Sequence, residues 1–349
     1  MTTHSERVPT VSVIVPCRNE EPYVARCLDS ILASDYTDDL LEVLVLDGRS
    51  EDGTRAILDD YASRHPIVRV LDNPQRITPV ALNLGICAAR GEVLVRMDVH
   101  VVYPTNYIRD LVAALQQTNA DNVGGVPVTL PANQTAIARA IAIAMSHPFG
   151  VGNSYFRTGV RQPRWVDTTP FFCCRRETFE RVGLFDEELA RHQDGEFNAR
   201  LIKQGGRVLL VPHVVSHYHA RGSLRQVARM FHQYGYYKPL VARKLGRVMT
   251  LRQLVPPGFV LALAATATLS PWMDGAAVLF GATAAAYLLA VLGVSITAGR
   301  VTGLRGRAAL ALAFPVMHFS YGLGYLTRVM ELALAPARRA RQAELPLSR

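Results

Sequence analysis

The chain is predicted to be an α/β protein: a mostly parallel sheet with helices on its faces, followed by an apolar helical region. Three observations predict this. Short apolar runs alternate with helix-length segments through the first third of the sequence, the rhythm of a parallel sheet. Polar, ligand-capable residues stand directly after these runs, at the carboxyl ends where open α/β sheets bind ligands. Between Arg252 and Arg300 the sole charged residue is Asp274, a composition suited to membrane spans.

Taken in order, residues 11–15 form a compact apolar run ending at Pro16, and residues 20–32 read as a helix. Arg18, Asn19 and Glu20 lie between them. Residues 41–46 repeat the pattern and run into Asp47-Gly48-Arg49-Ser50-Glu51-Asp52-Gly53-Thr54. Gly48 and Gly53 permit a tight turn, while Ser50, Asp52 and Thr54 suit the start of a helix reaching about Ser63. Capping accounts for Asp52 or Thr54. Asp47 stands at the strand's very end, placed to accept hydrogen bonds from a base or ribose. Residues 67–71 are a third strand, and residues 79–90 a helix. Residues 91–100 carry the fourth strand, with Val93, Leu94, Val95 and Met97 buried, and break into Asp98-Val99-His100. In extended backbone, positions i and i+2 project to one side, so this carboxylate and imidazole would reach one cation. The alternative is a loop aspartate beside a surface histidine. No G-x-G-x-x-G or G-x-x-x-x-G-K-[ST] follows any strand, which argues against a dinucleotide-cofactor or P-loop site.

Residues 107–117 are predicted helical, 122–128 extended and 134–145 helical, the last a core helix rather than one dipping into a bilayer surface. Residues 149–157 form a glycine-punctuated loop, followed by Trp165-Val166-Asp167-Thr168-Thr169; loops of this length are commonly functional. After Gln193 a helix begins, with Phe197 and Leu201 facing inward. Asp194 then sits in its first turn, where the dipole favours the ionised form. That makes it a general-base candidate, although spacing alone does not separate base from cap. Residues 208–211 close the sheet domain. His213, His217 and His219 cluster beyond it without an acidic partner, which favours a structural or phosphate-facing role over a zinc site. Arg221, Arg225 and Arg229 recur at helical spacing, with Gln233, Tyr234 and Lys238 following. They form either a solvated face or a grip on a phosphorylated lipid at a membrane border.

The 349 residues carry 38 basic and 29 acidic side chains, a net charge of +9. The excess concentrates after residue 220, beside apolar spans, the pattern of cytoplasmic membrane borders and not of a nucleic-acid-binding face. The five cysteines precede the apolar region without zinc spacing and read as reduced cytosolic thiols. The N-terminus is polar, without a signal-peptide core. Hydrophobic segments are expected at residues 258–273, 276–298 and 308–327, with three crossings favoured over a two-span hairpin. Domains are placed at 1–245 (catalytic), 246–335 (membrane) and 336–349 (basic tail).

Val-Ser-Val-Ile-Val-Pro-Cys-Arg-Asn-Glu at 11–20, the Asp47-Gly48 turn, Asp98-x-His100 and Gln193-Asp194 together resemble family 2 glycosyltransferases of the Rossmann-like GT-A fold. Residues 149–157, Val166-Asp167-Thr168 and 183–206 are similar to the succinoglycan-type bacterial subgroup. The resemblance implies an inverting transferase with a nucleotide-sugar donor, taken as UDP-linked, and a polyprenyl-linked acceptor. It also implies a multi-pass protein of the bacterial inner membrane with its catalytic domain in the cytoplasm. By it, Pro16, Arg18, Glu20, Asp47 and Gly48 hold the nucleotide. Asp98, with His100 in place of a second aspartate, coordinates Mn²⁺ or Mg²⁺ with the diphosphate. Asp194 matches the catalytic base. Gln193, Glu196, Arg221, Arg225, Arg229, Gln233 and Tyr234 fall where acceptor or diphosphate is met.

Two departures matter. His100 replaces a hard oxygen ligand with nitrogen, which suits Mn²⁺ better than Mg²⁺, or it does not ligate at all. Gln-Tyr-Gly-Tyr-Tyr stands where a processive synthase would carry Q-x-x-R-W. The rival readings are a polyprenyl-phosphate sugar synthase and a non-catalytic, nucleotide-sugar-binding membrane scaffold. Oligomeric state is not legible.

Overall fold

The computed structural model describes residues 7–298 and 303–334. Arg300 and the basic tail at 336–349, with Arg338, Arg339 and Arg341, lie outside the described residues. The chain forms two compact units. One comprises residues up to Val128 with Gly159–Tyr218; the other comprises Thr129–Thr158 with the residues from His219 on.

In the first unit, β1 (Val11–Cys17), α1 (Val24–Leu32), β2 (Leu41–Asp47), α2 (Thr54–Arg64), β3 (Val68–Asp72), α3 (Thr78–Ala88) and β4 (Val93–Arg96) alternate as expected. Then follow β5 (Val101–Val102), α4 (Tyr107–Gln117) and β6 (Asn122–Leu130). The second unit takes α5 (Ala136–Ser146), α6 (Pro148–Val151) and α7 (Tyr155–Thr158). The chain then returns to the sheet through β7 (Arg164–Trp165), β8 (Cys173–Arg175), α8 (Arg176–Val182), α9 (Gln193–Lys203) and β9 (Val208–His219). The sheet order is β3-β2-β1-β4-β8-β6-β9-β5, with β7 paired to β9.

β1 to β4 are mutually parallel, as predicted. β8 runs antiparallel to β4 and to β6, and β9 antiparallel to β5 and β7. β1, β2 and β4 are largely apolar without alternation because both faces are covered. Val13, Val15, Val43, Val45 and Val95 point into one core with α1, α2 and α4. Ile14, Leu44, Leu46 and Leu94 point into the other with α3, α8 and α9. Neighbouring residues thus serve opposite cores, as the pleat requires.

Two expectations are revised. β9 does not stop at Val211; it runs to His219, so His213, His217 and His219 lie on a strand, held by backbone pairing of Val101 with Tyr218 and Val102 with His217. Asp98-Val99-His100 is not extended: the Val101 N–H donates to the Asp98 carbonyl at 3.3 Å, closing a turn. In the second unit α5, α6 and α10 (Leu224–Leu245) pack with the C-terminal helices.

Those helices are α11 (Val255–Leu269), α12 (Asp274–Ala298) and α13 (Gly303–Leu334). α12 and α13 are long and apolar enough to cross a membrane, by length and composition, and almost none of the α12 stretch is buried. α11, with 15 residues, falls short of the roughly 20 needed. α10 and α13 meet backbone to backbone. A Cβ on Gly324 would collide with the His232 carbonyl, and one on Gly235 with the Tyr321 carbonyl. At this crossing Tyr236 donates to Glu331 at 2.6 Å and accepts from Arg328 at 2.9 Å. α5 also lies against α13 and buries Ala138, Ala140, Ile141, Ala144 and Met145.

Candidate active site

Parallel register brings the ends of β1, β2 and β3 level, with Cys17 opposite Asp47 and Asp47 opposite Asp72. The loops after them are therefore neighbours, and they are laced together. Asn19 N–H donates to Ser50 Oγ at 2.8 Å, Glu51 N–H to Asn19 Oδ1 at 2.7 Å, and Glu20 N–H to Thr54 Oγ1 at 2.7 Å. Asn19 and Arg49 take left-handed backbone, φ 47° and 53°, a conformation uncommon outside glycine and asparagine. Asp47 is 2 % exposed. Its Oδ1 accepts from Ser50 N–H at 3.2 Å and Ser50 Oγ at 2.6 Å, so this carboxylate also shapes the turn that follows it.

Gly48 lies under the stem of Arg18: a Cβ there would stand 3.0–3.2 Å from Arg18 Cβ, Cδ and Cγ. Arg18 Nε and, beside Asp47, Asn73 Oδ1 are buried without a hydrogen-bond partner. Asn73 is anchored by its N–H on the Asp47 carbonyl at 2.7 Å. Buried donors and acceptors are normally satisfied, so this edge holds one of each still seeking a partner. Pro16 sits in β1 opposite Leu46, just before this loop pair.

β4 ends on the residue that sequence reasoning missed. Arg96 Nε donates to Asp98 Oδ1 at 2.8 Å and Nη2 to Asp98 Oδ2 at 3.2 Å. Its Nη1 donates to Asp194 Oδ1 at 2.7 Å. One guanidinium, its side chain only 6 % exposed, thus holds two carboxylates 96 positions apart in sequence (98 and 194). A signal was present: an arginine inside the run Val-Leu-Val-Arg-Met is a charge placed where it must be paired.

Asp194 is positioned by α9. Phe197 of that helix packs its ring on Phe179 and Phe185, at 5.0 Å in each case. Asn198 accepts from Asn122 Nδ2 at 2.8 Å and donates to Thr168 Oγ1 at 3.0 Å. Burial raises the Asp194 carboxyl above the usual aspartate range; Arg96 opposes the rise and Asp98 adds to it. Arg96 itself is kept charged by the two carboxylates against its burial.

The remaining predicted residues fall as follows. His100 presents its ring edge-on to Tyr218, centroids 5.6 Å apart. Gln193 opens α9 and is buried. Glu196 is buried and bonded to Arg200, Nε at 2.6 Å and Nη2 at 3.0 Å, while Arg200 also donates to the carbonyls of Val182 and Leu184. In the helical unit, α10 starts only after Ser223, whose side chain caps it. Arg221 therefore precedes the helix, while Arg225 and Arg229 share an exposed face. Gln233 is buried, and Tyr234 packs against Phe231.

Among the described residues no group of three or more His, Cys, Asp or Glu side chains could hold a metal ion. A divalent ion bound through one or two carboxylates plus substrate phosphates needs no such cage. Asp98, a carboxylate at the sheet's edge, fits that kind of site.

Comparison with known proteins accords with this geometry. The model of glycosyl transferase family 2 matches residues 12–184. The succinoglycan biosynthesis protein ExoA of Rhizobium meliloti is 30 % identical over 322 residues, 91 % of this chain and 94 % of that protein. The dolichyl N-acetyl-alpha-D-glucosaminyl phosphate 3-beta-D-2,3-diacetamido-2,3-dideoxy-beta-D-glucuronosyltransferase of Methanococcus voltae is 28 % identical over 262 residues, covering 72 % and 79 %. The mannosyltransferase PcManGT of Pyrobaculum calidifontis, solved with GDP-Man and Mn²⁺, is 23 % identical and superposes with a TM-score of 0.56 over 95 % of this chain and 89 % of that one. The shared fold is the GT-A arrangement expected from the strand order and motifs. Sheet, motifs and relatives agree: the chain is a glycosyltransferase and belongs to glycosyl transferase family 2.

Proposed function

We propose that this chain is a membrane-bound, inverting glycosyltransferase that moves a sugar from a UDP-linked donor to a polyprenyl-diphosphate-linked glycan, with a divalent cation, in exopolysaccharide or cell-surface glycan synthesis. The observation that carries the reading is the Arg96 guanidinium holding Asp98 and Asp194 together. A metal–diphosphate ligand and a base beside it are what a single displacement at an anomeric carbon requires. The succinoglycan-biosynthesis role of the Rhizobium relative and the dolichyl-linked substrate of the Methanococcus relative support the glycan and lipid sides. The apolar α12 and α13 supply the membrane anchor, in the bacterial inner membrane with the catalytic unit on the cytoplasmic side.

An acceptor hydroxyl is a poor nucleophile, so Asp194 takes its proton as the new bond forms. The first turn of α9 and the Arg96 guanidinium favour the ionised carboxylate that this requires. Pro16, Arg18, Glu20, Asp47 and Gly48 hold the nucleotide, with Arg18 Nε offering its unused donor. Asp98 would hold the cation together with diphosphate oxygens, and when bound the ion would neutralise leaving-group charge without proton transfer. His100, two residues on, would be a second, softer ligand if its ring left Tyr218. Gln193, Arg221, Arg225, Arg229, Gln233 and Tyr234 serve the acceptor or diphosphate, and Glu196 holds α9 through Arg200.

The test uses the detergent-solubilised chain with UDP- and GDP-sugars, Mn²⁺ or chelator, and two acceptors. The expected result is metal-dependent UDP release with a lipid-diphosphate-linked sugar, giving product of inverted anomeric configuration. Turnover with polyprenyl phosphate instead would make the enzyme a polyprenyl-phosphate sugar synthase. Turnover with GDP-sugars alone would overturn the donor assignment, and full turnover under chelation would overturn the metal.

A further inference from the structure

We propose that Arg96 is an internal counter-cation that competes with the divalent ion for Asp98, so that metal binding and the setting of Asp194 are coupled through one side chain. The proposal rests on the reading of Asp98 as the metal ligand.

Both Asp98 oxygens are engaged by Arg96, at 2.8 and 3.2 Å, and the third contact runs to Asp194 at 2.7 Å. The guanidinium has little freedom to leave. Its strand is pinned by the Arg96 N–H on the Phe172 carbonyl at 2.9 Å. Its plane lies over the Phe171 ring, 5.6 Å from the centroid, and Phe171 is held in left-handed backbone at φ 55°. The Asp98 backbone is fixed as well, its N–H donating to Tyr103 Oη at 2.7 Å. The cluster therefore carries one positive and two negative charges, the guanidinium buried and the two carboxylates partly open to solvent.

Two consequences follow. A bare divalent ion must take an oxygen lone pair from a buried guanidinium of its own charge sign, at short range and only partly screened by water, where such repulsion exceeds that in bulk solvent. Its affinity for Asp98 is then low until a nucleoside diphosphate brings compensating negative charge, so ion and donor bind cooperatively. Once Asp98 turns to a metal, the fork of Arg96 still holds Asp194, which keeps the base oriented as the donor arrives. A lysine would be a poor substitute, since a point charge cannot span two carboxylates at once. Arg96 is in this sense a positioning residue.

The test is Mn²⁺ binding by the full-length chain in detergent, read from the paramagnetic resonance of free Mn²⁺, with and without UDP. In the wild type, UDP should tighten Mn²⁺ binding strongly. Arg96→Met should raise affinity for Mn²⁺ alone by about tenfold or more and shrink the UDP effect; in turnover, kcat should fall while the donor KM changes little. Arg96→Lys should lie between the two and restore part of kcat. If Arg96→Met fails to fold by circular dichroism, Arg96→Lys carries the comparison. A folded variant that binds Mn²⁺ no more tightly than the wild type overturns the proposal and leaves the metal assignment standing. A wild type that binds no Mn²⁺ even with UDP, and is indifferent to chelation, overturns the metal assignment and the proposal with it.

Discussion

Asp194→Asn removes one property of the site and keeps its shape. The carboxamide retains Oδ1 as an acceptor for Arg96 Nη1, where the bond is 2.7 Å, and Arg96 keeps both contacts to Asp98. What is lost is the ability to accept a proton. General-base catalysis contributes ~10²–10⁴-fold, so kcat should fall by that factor, ~3–5 kcal/mol in the barrier. Donor binding should stay near normal. Stability should respond differently. The folded Asp194 carboxyl is raised by burial beyond what Arg96 pulls back, so the folded chain binds this proton more tightly than the unfolded one. Its favourable contribution is present below the unfolded pKa and is lost as pH rises through the folded value. At neutral pH the ionised group is thus a cost to the fold, and the variant should melt no lower than the wild type. By the same sign, wild-type kcat/KM should lose its acid limb at a pH above that of an ordinary aspartate, ~3.9. The assay is nucleoside diphosphate release with donor and acceptor, donor affinity by calorimetry, and a thermal melt. A folded variant turning over at the wild-type rate would refute the reasoning.

Glu196→Gln should show the opposite balance: losing the charge-assisted bonds to Arg200 should cost about 1–3 kcal/mol in a denaturant melt, with little change in kcat of the folded fraction. Gly48→Ala puts a Cβ 3.0 Å from Arg18 Cβ and should raise the donor KM several-fold in initial-rate assays, with kcat moved less. Gly324→Ala meets the His232 backbone carbonyl, which cannot step aside. Thermal melts in detergent should show a loss of about 1–3 kcal/mol from overpacking, larger than the ~1 kcal/mol of helix propensity gained.

Much of the first unit was legible because its signals are local. The runs ending at Pro16, Asp47 and Arg96 are near-continuous apolar segments, and a strand buried on both faces needs nothing else to announce it. The α4 helix runs from Tyr107 to Gln117 as its periodicity predicts. β8 escaped notice, because three residues, Cys173–Arg175, carry no period. The extended reading of Asp98 and His100 failed for a related reason: the Val101 N–H to Asp98 carbonyl bond closes a turn that side-chain alternation cannot reveal.

The sequence by itself determined where the parallel strands β1 to β4 end and that Asp47 and Asp98 stand at or just past the ends of β2 and β4, because both depend on a few adjacent residues. Tertiary structure alone decided that Asp98 and Asp194 share one guanidinium, that α5 joins the C-terminal helices, and that β8 and β9 turn the sheet antiparallel. Each of these depends on groups far apart in the chain meeting at bonding distance. That meeting is set by the registry of whole elements, for which no local pattern of residues codes.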